Sequence, residues 1–86
     1  MSSAEDIFES MKRTKNGWGE DDFHTLYTGY GFTCREGKHR FYIHPTYTDL
    51  SATVGRHKKL ATGYAQHAVK TIEKLLEYKE GEKNDR

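Results

Sequence analysis

His39 stands between Lys38 and Arg40, just past a glycine turn at Glu36-Gly37-Lys38 and just before the run Phe41-Tyr42-Ile43-His44-Pro45. An imidazole exchanges a proton near neutral pH, and an ammonium and a guanidinium beside it suit a phosphate. RNA carries its own nucleophile, the 2′-hydroxyl, so breaking its backbone needs proton transfer and charge stabilisation. A histidine that accepts the 2′-OH proton, or protonates the leaving 5′-oxygen, contributes about 10²–10⁴-fold. Cations beside the phosphorus stabilise the extra charge of the pentacoordinate state. A second basic group, Arg56-His57-Lys58-Lys59, lies further along the chain. The residue types therefore suggest His39 as acid–base group, with Lys38, Arg40, Arg56, His57, Lys58 and Lys59 as contacts to phosphate.

Other chemistries find less support. Cys34, His39, His44 and His57 are the plausible metal ligands, and none shows the C-x₂-C or H-E-x-x-H spacing of zinc sites. There is no glycine-rich phosphate loop, no Gly-x-Ser-x-Gly elbow and no carboxylate pair on a strand, so no cofactor is expected. His24 and His67 fall on helices, where a packed or solvated role is the simpler reading. His44, just before the proline, reads as a surface residue at a strand end. Tyr42 and Tyr47 are expected to face solvent, where they can stack on unpaired bases.

The elements that must position His39 follow from the apolar spacing. Ala4, Ile7, Phe8 and Met11 make one face of a first helix, capped by Ser2 or Ser3 and broken at Asn16-Gly17. Gly19-Glu20-Asp21-Asp22 opens a second, with Phe23, Leu26, Tyr27 and Tyr30 at helical spacing and Gly29 and Gly31 closing it. From Phe32 the period becomes two. Phe32–Arg35 and His39–His44 form a hairpin, with Gly37 supplying a positive φ in the turn and Pro45 ending the second strand. Leu50–Val54 makes a third strand, with Leu50, Ala52 and Val54 on one face. On the second strand, Phe41 and Ile43 are expected inward and Arg40, Tyr42 and His44 outward. His39 shares the inward parity but stands at the strand's end, within reach of a surface cleft. A last helix begins at Thr62 or Gly63 and carries Ala65, Ala68, Val69, Ile72, Leu75 and Leu76 on its core side.

The expected fold is α+β: a two-layer domain with a three-stranded antiparallel meander packed against helices, in the order α-α-β-β-β-α. A single domain spans residues 1–79, including an N-terminal helical extension over about 1–18. Residues 80–86 hold no apolar side chain and read as a disordered polar tail.

Composition sets the outer bounds. Eighty-six residues make one small core, and six Tyr, four Phe and one Trp supply much of its buried area. The single cysteine rules out an internal disulfide and suits a reducing cytoplasm. No run of 18 apolar residues and no signal-peptide pattern is present, so neither membrane insertion nor export is expected. The net charge of +1 conceals a segregation. Residues 1–31 hold three bases against six acids, whereas residues 32–59 hold six bases against two acids. A basic middle in a near-neutral chain points to a local polyanion site.

These residues resemble a known family, the HicA-type messenger-RNA interferase toxins of the double-stranded-RNA-binding-domain-like fold. The likeness runs from about Ile7 to Leu76. It centres on Gly31-Phe32 through Gly37-Lys38-His39, with a strand ending at His44-Pro45, then Thr53-Val54 leading into Arg56-His57-Lys58-Lys59. What the resemblance implies is RNA cleavage without a metal, a catalytic histidine at His39, and a HicB-type antitoxin partner that blocks the site. Lys38 stands where the family has a hydroxyl residue, Arg40 where a second histidine is common, and Gly55 where a proline is usual. Two other readings stay open: an RNA-binding module of the same fold that does not cut, favoured by Lys38, and a protein-interaction domain using the acidic helices or a strand edge.

Overall fold

The computed structural model describes residues 3–84. Its elements are α1 (Ala4–Arg13), α2 (Glu20–Gly29), β1 (Thr33–Arg35), β2 (Arg40–Ile43), β3 (Ser51–Val54) and α3 (Thr62–Asn84). The three strands form one antiparallel sheet in the order β1-β2-β3. This is the two-layer α+β domain that the periodicity predicts.

Each helix forms for a local reason. Ser3 caps α1 by accepting the Asp6 N–H at 3.1 Å, Glu5 and Asp6 sit at the positive end of the dipole, and Ile7, Phe8 and Met11 are buried. Ser2, the other expected cap, lies outside the described residues. At the start of α2 the Asp22 carboxylate accepts the Gly19 N–H at 2.9 Å, and Phe23, Leu26 and Tyr27 are buried. Gly31 ends this helix at φ +92°, a left-handed conformation that glycine adopts without steric cost. Gly29 lets α1 approach closely, since a Cβ there would collide with the Ala4 side chain. In α3, Ala65, Ala68, Val69, Ile72 and Leu75 are buried as the spacing predicts, but Leu76 is 41% exposed.

Three expectations need correction. First, the faces of β2 are reversed: Tyr42 and His44 are buried, and Phe41 and Ile43 are only half-buried on the other side. The register explains it. Tyr42 pairs with Cys34 on one side and Ala52 on the other, and strand partners share a face. Two small residues leave room for one large ring, which stacks on Tyr27 at 4.8 Å between centroids. The Tyr42 hydroxyl meets His24 Nδ1 at 2.9 Å, so the ring's polar end is satisfied where it is buried. Burial raises the Tyr42 hydroxyl's pKa above its ordinary value. His24 is thus a packed partner within this cluster.

Second, Gly37 does not have a positive φ; among the described residues only Gly17 and Gly31 do. The hairpin connection runs over residues 36–39, with β2 beginning at Arg40, and this longer loop does not need a left-handed glycine there. Third, α3 continues through Asn84, past the point where composition predicts a disordered tail. The Tyr78 hydroxyl donates to Asp49 at 2.7 Å, and the Tyr47 hydroxyl donates to Glu82, so the β2–β3 loop holds the last turns. Residues 85 and 86 lie outside the described residues.

His44 is the clearest departure at the level of a single side chain. It is 7% exposed, edge-on to Phe32 at 5.3 Å and tilted against Tyr47 at 5.1 Å. Its Nδ1 accepts the backbone N–H groups of Thr46 and Tyr47 at 3.1 and 3.2 Å, which pins the turn after Pro45. That bonding requires an unprotonated Nδ1. Burial first, and Lys79 second, hold the imidazole below its ordinary pKa. Folding therefore favours the neutral ring, and the unfolded chain binds the extra proton as pH falls below about 6.5. Stability from this residue is complete above that pH and is lost as pH drops toward the folded-state value. Urea unfolding between pH 7.5 and 5 should show this decline, with a slope of at most about 1.4 kcal/mol per pH unit from one proton. His44→Asn, whose Oδ1 can accept the same N–H groups, should flatten that part of the curve.

Candidate active site

The hairpin loop and the β3–α3 connector meet at one end of the sheet. Arg40 pairs with Val54 in the last step of the ladder, so His39 and Gly55 are the loop residues that flank that end of the sheet. His39, Lys38, Arg56, His57, Lys58 and Lys59 are all exposed there. A Cβ at Gly55 would stand 3.5 Å from His57 Cδ2 and 3.3 Å from Leu60 Cδ2, which places His57 at this same end. His39 is the last residue of the loop, open to solvent at the entrance to β2.

The connector is fixed to the start of α2. The Glu20 N–H donates to the His57 carbonyl at 2.9 Å, and the Leu60 N–H donates to the Trp18 carbonyl at 2.8 Å. Gly19 is required at this crossing, because a Cβ would overlap the Lys58 carbonyl. Two backbone hydrogen bonds therefore hold Arg56–Lys59 against the helical layer.

Arg40 is placed differently from the exposed cations. Its side chain is 15% exposed, on the covered side of the sheet, and Nε donates to Glu36 Oε1 at 3.1 Å. Its Nη1 lies 3.8 Å from both Glu20 Oε1 and Asp21 Oδ1, without a hydrogen-bond partner among the described residues. Glu36 Oε1 also accepts from Arg56 Nη1 at 3.0 Å. Arg56 first, then Arg40, holds the Glu36 carboxyl below its usual pKa. One carboxylate thus ties the hairpin loop to the end of β3, on either side of His39 in the sequence. Glu36 is the residue that sequence reasoning missed; its position four before Arg40 was the available signal.

Charge is divided accordingly. Glu20, Asp21 and Glu36 gather round the Arg40 guanidinium, and the last two carboxylates are exposed. At the rim, Arg35, Lys38, Lys58 and Lys59 make no ion pair among the described residues. An exposed imidazole beside unpaired cations can exchange a proton next to a bound phosphate. Among the described residues no group of three or more His, Cys, Asp or Glu is gathered as a metal site. No helix there is long and apolar enough to cross a membrane.

A separate cleft of about 770 Å³ lies at the opposite end of β2, lined by Tyr30, Gly31, His44, Tyr47, Lys79 and Glu82 among others. It is remote from His39, and its one histidine is committed to the turn it pins.

No family model matches this chain, and no curated protein or solved structure does either.

Proposed function

We propose that the protein is a HicA-like endoribonuclease that cleaves messenger RNA at the sheet end bearing His39. The observation that carries this reading is an exposed imidazole at the entrance to β2, next to Lys38 and at the same end of the sheet as the exposed Lys58 and Lys59, of which Lys58 also borders Glu20, Asp21 and Asp22. His39 takes the proton from the 2′-hydroxyl as that oxygen bonds to phosphorus. The P–O5′ bond then breaks, and the leaving oxygen takes a proton from the imidazolium or from water. The products are a 2′,3′-cyclic phosphate and a 5′-hydroxyl end. The chemistry needs no cofactor.

Lys38, Lys58 and Lys59 grip phosphate in this reading, with His57 beside them. Arg40 and Arg56 hold the loop in place through Glu36. Within the HicA-like reading, a HicB-like antitoxin covers this rim, and the pair acts in the cytoplasm where messenger RNA is translated. The test is incubation with end-labelled RNA in EDTA: fragments ending in cyclic phosphate are expected, and intact RNA would overturn the reading.

The division of cations makes its own prediction. Lys58→Gln with Lys59→Gln should reduce the slope of log affinity against log salt by about 0.7 for each single-strand phosphate left without its cation. Arg40→Gln should leave that slope unchanged, because its guanidinium faces carboxylates. Filter binding of single-stranded RNA across a salt series measures both.

A further inference from the structure

We propose that the uncovered face of the sheet is a base-stacking platform for single-stranded RNA, with Phe41 as the stacking ring. This rests on RNA as the ligand and adds the part of the protein that would hold a base. The reversed faces of β2 are the starting observation. The covered face takes Tyr42, Ala52 and Val54, which leaves Phe41 and Ile43 half-buried on the other face of the central strand, outside the core cluster. Phe41 is flanked in register by Arg35 on β1 and Thr53 on β3, both exposed.

An aromatic ring on a central strand, beside an unpaired guanidinium, offers a π face and a cation to a base and its phosphate. His39 lies two residues before Phe41, exposed in the loop that leads into β2. A base resting on Phe41 would therefore bring its backbone toward the reacting histidine. A paired base has both faces covered by its neighbours, so the occupant is a single strand.

Size decides between RNA and a protein partner. Strands of three or four residues span about 10–13 Å, and three of them lie about 5 Å apart. That area accepts one or two bases. It falls well short of the roughly 800 Å² that each partner contributes to a stable protein interface. The side chains around Phe41 and Ile43 are Arg, Thr and Ser, which suit a nucleotide better than an apolar protein surface.

The probe is a fluorescent single-stranded 2′-O-methyl oligonucleotide, which lacks the nucleophile and so is not consumed. Phe41→Ala should weaken its binding by about 5- to 150-fold, the range for losing one stacked base. Phe41→Trp should bind within about threefold of the parent, with its fluorescence quenched by the oligonucleotide beyond the change at Trp18. An abasic oligonucleotide of equal length should bind the parent and Phe41→Ala alike. Thermal unfolding of Phe41→Ala shows that the variant is folded. Equal binding of the base-bearing probe to the parent and Phe41→Ala would overturn the platform, as would a Phe41 dependence that persists on the abasic strand. Phe41-dependent self-association in sedimentation would also overturn it, by making the face a protein contact. Loss of cleavage in EDTA with this binding pattern intact would sink the nuclease reading and leave the platform standing.

Discussion

His39→Ala should lower RNA cleavage in EDTA by about 10²–10⁴-fold, the usual contribution of one positioned acid–base group. The fold should be untouched, since His39 is exposed and lies in the loop before β2. Circular dichroism and the unfolding midpoint check that part. Binding of the uncleavable 2′-O-methyl strand should change by only a few-fold, because the proposed phosphate grip lies with the lysines. That separates loss of chemistry from loss of substrate. His57→Ala, at the same end of the sheet, should have a smaller effect that appears mainly in binding. In cells, expression of the parent should arrest growth and His39→Ala should relieve it, as should co-expression of a HicB-like partner. Cleavage by His39→Ala at the parental rate would leave the site without a catalyst and favour a module that only binds RNA.

The element order was legible because each element announces itself locally. The α1 stripe of Ile7, Phe8 and Met11, the glycine stop at Gly31 and the alternation of Leu50, Ala52 and Val54 all survive in the folded chain. What failed was parity on β2, where Phe41-Tyr42-Ile43 is apolar at every position and alternation has nothing to grip. Its partners held the answer. Cys34 and Ala52 are small and lie on the covered face, so the residue paired with both must be the large one. His44 escapes sequence reasoning for a related cause: Pro45 marks a strand end, but the turn beyond it folds back onto the ring. The rim cations were legible as a group, whereas their pairing was not. Nothing in the charge count distinguishes Arg40, held by Glu36, Glu20 and Asp21, from the unpaired Lys38 two residues earlier. Only the fold brings the acidic start of α2 to the hairpin.

Tyr42→Ala and Phe41→Ala, adjacent residues of similar size, should differ sharply in their effect on stability. Tyr42 is fully buried, stacked on Tyr27 and bonded to His24, in a slot between Cys34 and Ala52 that neither small neighbour can fill. Truncating a buried aromatic ring costs about 3–5 kcal/mol, part of it for the cavity left behind. Native domains have only about 5–15 kcal/mol in total, so a chain this short should be close to unfolding at 37 °C. Phe41 lies half-buried on the uncovered face, where its removal opens no cavity, and a loss nearer 1 kcal/mol is expected. Tyr42→Phe should sit between them, losing the bond to His24 and leaving that imidazole nitrogen short of a partner, for about 1–2 kcal/mol. Urea unfolding of the three variants at pH 7.5, where His44 is neutral, ranks them directly. If Phe41→Ala proved the more damaging, Phe41 would belong to the covered layer, and the platform built on its exposure would lose its base.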